Sequence, residues 1–475
     1  MTGVLSTDAF ADDPLDPDAD PQKNTEAPKE ADGPPAVLPA APVAPAPVPP
    51  PPPKPKFGDV ATSGYFRGGF GGNSPGKGRM VCFQLALPGG MFSKYRLGNE
   101  CEVWGEFHLT SVVYADDAGV VASMHFMPTV FIPTTYIGYP PTAVINSPLQ
   151  YTTSTGATLS FPNLYADIKG IPWLFGGTAW AGTRYYKREF VYISDFFYWN
   201  PSGVGAGIED VKLGDDLRLS YGAFAVDGEP LSDTNVPNSP PLAIRVDFGV
   251  RNDLQLRGIK FWESGEFQLG FQYIANYSDN PASHGGWGAT LQFVQKLLGG
   301  ENKFAVQYGR GGGTGFGTLA RYYYPDFSLR HPTSEWRLRF VDVLTIQPVR
   351  WFATQVAGVI QRDDLGTPGS QTDWRSAGLR VVFAFTKHAK FLAESGFDWV
   401  LKNNGADPQY LTKGTTAFAI TADRGFWARP ELRIFFTSAF WNEAARGATV
   451  DSGRLYTATN YLNGYTFGLQ GETWW

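Results

Sequence analysis

From Cys101 to Leu109 the chain alternates between two kinds of side chain. Cys101, Val103, Gly105, Phe107 and Leu109 fall on one side, and Glu102, Trp104, Glu106 and His108 on the other. A period of two sends these sets to opposite faces of a β-strand. The first face suits hydrocarbon; an indole between two carboxylates suits water. The same pattern predicts strands at Leu217–Val226, Leu242–Arg251, Phe267–Ala275, Phe304–Arg310, Trp336–Leu344, Gly378–Phe385 and Glu431–Trp441. Within Glu431–Trp441, Leu432, Ile434 and Phe436 oppose Arg433. A last alternation, Tyr465, Phe467, Leu469, Gly471, Thr473 and Trp475, closes the chain on an aromatic residue. Between these runs, Met124–Phe161, Lys187–Gly207 and Gly311–His331 read as long loops.

Alternation by itself fits a large soluble β protein as well as a membrane barrel. The second face separates the two: a soluble protein of this size would bury it in places, and here it stays polar in strand after strand. That pattern predicts an all-β, transmembrane antiparallel barrel with water inside and lipid outside. No run of eighteen apolar residues exists, which excludes membrane-spanning helices.

Charge divides the chain in two. Residues 1–33 carry nine acids against Lys23 and Lys29, a balance of -7, so the overall -6 leaves the remainder near +1. No basic patch argues for nucleic acid. The acidic stretch lacks aromatics and predicts disorder. The Pro-rich segment at 34–56 predicts a polyproline II spacer reaching roughly 70 Å. Ala9-Phe10-Ala11 resembles a secretory cleavage site. Two units follow: a spacer at 1–56 and a barrel at 57–475.

The two cysteines, Cys82 and Cys101, stand 19 positions apart. In an oxidising compartment they would close a loop; otherwise they are two buried thiols. The five histidines are scattered and show no metal-ligand spacing, and the Gly-rich Gly309–Gly317 lacks a P-loop lysine, so neither a metal, a cofactor nor a catalytic set is read here.

Several stretches closely resemble the maltoporin family of carbohydrate porins. They are GYFRGG at Gly64–Gly69, CFQ at Cys82–Gln84, SKYRLGNECE at Ser93–Glu102, WAGTRYY at Trp180–Tyr186, DFFYW at Asp195–Trp199 and SGVGAGIED at Ser202–Asp210. NKFAVQYG at Asn302–Gly309, FWARPELRIF at Phe426–Phe435 and the terminal TFGLQGETWW continue the match in order. The resemblance implies about eighteen strands, an inward-folded third loop, a homotrimer in the outer membrane lipid and a disulfide between Cys82 and Cys101 in the first external loop. It also implies that the N-terminal spacer lies in the periplasm, where peptidoglycan or a periplasmic protein would meet it.

The family's sugar-stacking aromatic slide maps onto Tyr65, Trp104, Trp427 and Trp474, all on the charged parity of their strands. Its polar track maps onto Arg67, Arg96, Glu106, Arg188 and Asp195. No ring stands near Gly300–Glu301, where the family has a slide position. Phe131, Tyr136 and Tyr139 are candidates for the ring that reaches a neighbouring subunit. At the constriction, Phe190, Tyr192 and Phe197 replace an acid, a histidine and a tyrosine, so weaker and differently selective binding is expected. Three or four stacked rings at about 0.5–1.5 kcal/mol each give roughly millimolar affinity, suited to a conduit. The expected function is passive diffusion of maltodextrin-like or related sugars. The alternatives are a porin of this fold for other solutes, or a surface or wall-anchoring barrel whose pore is incidental.

Overall fold

The computed structural model describes residues 54–74, 80–87, 92–133, 143–147, 150–153, 158–227, 248–278, 281–315, 329, 331–446, 449–451, 454–455 and 461–475. Apart from Lys54–Lys56, the predicted spacer lies outside the described residues. Eighteen antiparallel strands close into one barrel. The first, Val60–Ser74, pairs on one side with Glu102–Ala115 and on the other with the last, Asn463–Trp474. Strand neighbours otherwise follow the chain, so every backbone edge finds a partner, as a membrane interior demands.

The polarity of the wall is the reverse of a soluble protein's. On Glu431–Trp441, Leu432, Ile434 and Phe436 are 63%, 59% and 49% exposed, while Glu431 and Arg433 are 1% and 2% exposed. The same inversion recurs on Gln371–Ala384, where Arg380 is buried and Leu379 exposed. Aliphatic rows left open and charges turned inward are stable only with hydrocarbon outside. At one end the connections are tight, such as 263–264, 298–299 and 350–351; at the other they are long.

Two predicted loops are partly strand. Met124–Phe161 contains the end of strand Val121–Pro133 and the start of Thr158–Lys169, with a hairpin of 143–147 and 150–153 between them. Pro128 hid this: it sits where the register against Thr158–Lys169 shifts, between Met127 and Thr129. A bulge can hold a residue with no N–H to donate. Lys187–Gly207 likewise overran, since a strand starts at Gly203. Of Gly311–His331, Gly311 ends a strand and Gly312–Thr314 form a 3₁₀ turn, while 316–328 and 330 lie outside the described residues. So do 242–247 of the predicted strand Leu242–Arg251, whose remainder belongs to Phe248–Trp262.

Candidate functional site: two loops and an aromatic cluster inside the barrel

The disulfide-closed loop turns into the barrel. Cys82 and Cys101 are bonded, with Cα atoms 5.9 Å apart. Between them Tyr95–Gly98 run along the inner wall. The N–H of Leu97 donates to Glu394 at 2.8 Å, and its carbonyl accepts from Lys413 at 3.1 Å and Thr415 at 3.0 Å. Gly98 accepts from Thr437 at 3.2 Å. Tyr95 enters a notch made by two facing glycines. A Cβ on Gly396 would lie 1.8 Å, and one on Gly378 1.9 Å, from its ring. Only residues without a side chain allow that approach. The Tyr95 hydroxyl and Ser376 Oγ are 2.8 Å apart.

The second loop, 185–202, also folds inward, through a short pair of strands, Glu189–Val191 and Phe196–Trp199. The two loops touch: Arg96 N–H donates to the Ile193 carbonyl at 2.9 Å. Gln355 on the wall accepts from Ile193 N–H at 3.0 Å.

Three of the four predicted slide rings come together. Tyr65 stacks on Trp474, with centroids 6.3 Å apart at 16°, because Tyr65 and Trp474 are register partners across the seam. Trp427, on the turn between Gln409–Thr421 and Glu431–Trp441, lies 6.4 Å from Trp474. Tyr192 of the inward loop meets both edge-on, at 4.9 Å from Trp427 and 6.3 Å from Trp474. Trp104 is placed on the same inner face. It stands edge-on to Phe131 at 6.0 Å, under the Arg67 guanidinium at 5.6 Å, and donates to Glu106 at 3.0 Å. Phe131 belongs to strand Val121–Pro133 and turns inward, which removes it as a loop residue reaching a neighbour; Tyr136 and Tyr139 lie outside the described residues. Gly300 and Glu301 open a strand, and Glu301 pairs with Lys303 at 2.9 Å.

Most of the predicted polar track is bound up in one ion network. Arg67 bridges Glu100, Glu102 and Asp195 at 2.7, 2.5 and 3.3 Å. Arg96 bridges Glu100 and Glu472, both at 2.8 Å, and donates to the Tyr65 hydroxyl at 2.5 Å. Glu472 is the centre, and parity could have found it: it also takes Tyr65 at 2.8 Å, Arg429 at 2.9 Å and Tyr192 at 2.7 Å. Arg429 donates to the Tyr192 hydroxyl as well, so this phenol is fixed at both ends of its hydrogen-bonding capacity. Burial alone would raise the Asp195 carboxyl, but Arg67, Lys94 and Arg96 outweigh it and hold it down to about 2.

Arg188 stands apart from the network. Its guanidinium lies 3.4 Å from the Tyr185 ring centroid and 4.7 Å from that of Phe197, and its Nε and Nη2 meet no acceptor. Burial pushes this guanidinium below the usual arginine range. Phe197 stacks in turn on Phe190 at 5.1 Å and 22°. Arg188 is therefore packed against the rings of the inward loop. Two histidines on consecutive paired strands also meet on the inner wall. His125 lies 3.3 Å from His108 and 3.1 Å from Asp167. Among the described residues, no group of three such side chains is arranged to hold a metal ion.

Among solved structures, three proteins of Pseudomonas aeruginosa align with most of the chain at low identity. OccK2 (OpdF) has a TM-score of 0.44 at 10% identity, covering 88% of this chain and 97% of its own. OpdQ has 0.43 at 10%, covering 88% and 99%. OpdK, solved with vanillate, has 0.42 at 11%, covering 88% and 99%. The LamB porin family matches residues 60–475, which is the whole barrel. With the closed eighteen-stranded wall and its lipid-facing exterior, that match makes the protein a porin-type channel of the bacterial outer membrane, and the chain belongs to the LamB porin family.

Proposed function

We propose that the barrel passes small ring-bearing polar solutes down their gradient, with sugars the main class. The observation that carries this is the continuous ring contact Tyr65–Trp474–Trp427–Tyr192 on the inner face, set directly against the Arg96–Glu472–Arg429 ion network. A pyranose offers C–H faces to such rings and hydroxyls to such charges. Trp104 and Phe131 supply a second pair of rings on the same face. Because each stacked ring is worth only about 0.5–1.5 kcal/mol beyond its area, a solute held this way leaves readily. The working unit is a homotrimer, each barrel conducting separately.

A second reading rests on Arg188. The buried positive charge of Arg188, whose Nε and Nη2 meet no acceptor, favours through its field a small solute carrying a carboxylate on a ring. One experiment separates the two readings: single-channel recording in planar bilayers with neutral oligosaccharides and, separately, ring carboxylates. Sugar-dependent interruption of current that weakens in Trp474→Ala supports the first. Interruption by carboxylates alone, abolished in Arg188→Gln, replaces it with the second. No interruption by either class, with liposomes impermeable to sugars, sinks both and leaves a barrel whose pore is incidental.

A further inference from the structure

The outer face near the long-loop end carries a row of aromatic residues. Trp287, Tyr308 and Trp336 touch in series, at 5.7 and 6.4 Å. Trp399 and Tyr410, register partners on Ala389–Lys402 and Gln409–Thr421, continue it farther round. Such rows mark the level of lipid headgroups. The two strands between Trp336 and Trp399 break it with charge. Arg362 is tied to Asp373 by two hydrogen bonds of 2.6 and 2.9 Å. Arg375 is different: it is exposed, lies over the Trp399 indole at 4.7 Å, and has no acidic partner among the described residues.

Toward the membrane interior from Arg375, the wall is hollowed into a trough of about 360 Å³. Gly358 and Ala377, register partners without bulk, form its floor; Ile360, Phe340 and Phe397 stand around them. The trough also reaches Asp342, a carboxylate turned outward whose Oδ1 accepts from Asn302 at 2.7 Å. A guanidinium and a carboxylate that each face lipid call for polar groups from whatever covers them, spaced along an otherwise apolar body.

One molecule of the outer leaflet has that layout: a phosphorylated glycolipid whose acyl chains carry hydroxyls close to the headgroup. We propose that this face is a specific site for a lipid of the lipid A type. Its phosphate meets the Arg375 fork, held outward by the indole beneath it. One acyl chain lies over Gly358 and Ala377, and a chain hydroxyl donates to Asp342. The inference rests on outer-membrane location and is independent of which solute the lumen carries.

Native mass spectrometry of the full, delipidated chain with added lipid A, or with phosphatidylglycerol, tests it. Wild type is expected to retain lipid A about tenfold better than phosphatidylglycerol, which has the phosphate without the hydroxyacyl chains. Arg375→Gln and Ala377→Phe are each expected to lower lipid A retention by about tenfold. Both point outward, so their unchanged single-channel conductance reports a correctly folded barrel. Equal retention of the two lipids by wild type overturns the proposal. So does undiminished lipid A on either variant, or a change of oligomeric state on Arg375→Gln without loss of lipid, which would make the face a contact between subunits.

Discussion

The hydroxyl of Tyr192 donates to Glu472 at 2.7 Å, which fastens the inward loop to the last strand of the barrel beside the seam. A phenol stands here instead of the histidine expected of the family. It fills the space between Trp427 and Trp474 while it holds the loop. The same residue thus both ties the loop to the wall and joins the rings of Trp427 and Trp474.

Tyr192→Phe keeps the ring and removes the tether. A hydrogen bond to a charged group contributes about 1.5–3 kcal/mol, and Arg429 still pairs with Glu472 in its absence. The loop is expected to loosen while the barrel stays intact, giving higher and noisier single-channel conductance. An unchanged current trace would show that Ile193 and Arg96 suffice to hold the loop.

Gly396→Val places carbon where the Tyr95 ring now lies, 1.8 Å from it. The backbone on both sides is fixed in the wall, so Tyr95 must leave. Expulsion of the disulfide-closed loop is expected to raise the size limit for neutral solutes in liposome swelling. Adding Tyr95→Ala to that variant is expected to recover part of the lost thermal stability, since it removes the clash. Non-additivity between the two sites is the readout.

Removing the cross-link by Cys82→Ser with Cys101→Ser is expected to destabilise the loop by about 3 kcal/mol on the chain-entropy account. Because Leu97 and Gly98 remain bonded to Lys413, Thr415 and Thr437, the effect should be confined to the lumen. Proteolysis within 82–101 of the folded protein should accelerate, with the melting of the barrel itself little changed.

Asp195 gives a pH signature. Its folded value of about 2 lies below the 3.8 of an unfolded carboxyl, so its stabilisation is complete above about pH 4 and is lost as pH falls through 2. About two units correspond to roughly 2–3 kcal/mol. Conductance is expected to stay constant from neutral pH to about 3 and to rise as pH falls through 2, where Arg67 and Lys94 lose this one of their partners. Asp195→Asn should remove that step and show the acid-state conductance at pH 7.

The wall was legible from the chain because one rule, polarity every second residue, repeats eighteen times. The same rule put Tyr65, Trp104 and Trp474 on the inner face without reference to any partner. What alternation could not reveal was contact across the lumen. Tyr95 and its notch glycines are about three hundred positions apart, and nothing local in either segment announces the other. Phe131 was hidden for a different reason: Pro128 and Pro133 flank it, and prolines in a run argue against a strand unless a bulge takes one of them. For Arg67 and Arg96 the sequence leaves sugar contact and a lumen salt bridge equally open, and the structure pairs both with carboxylates, which depends on loops folding inward.

The seam has a bearing on how the protein is made. Tyr65 and Glu472 are 407 positions apart, and their bond forms only when the final strand docks on the first. Until that strand docks, the wall is a sheet with two bare edges and an apolar outer face. A barrel that loses this strand is therefore left with an unsealed edge on each side of the gap, each able to pair with another chain.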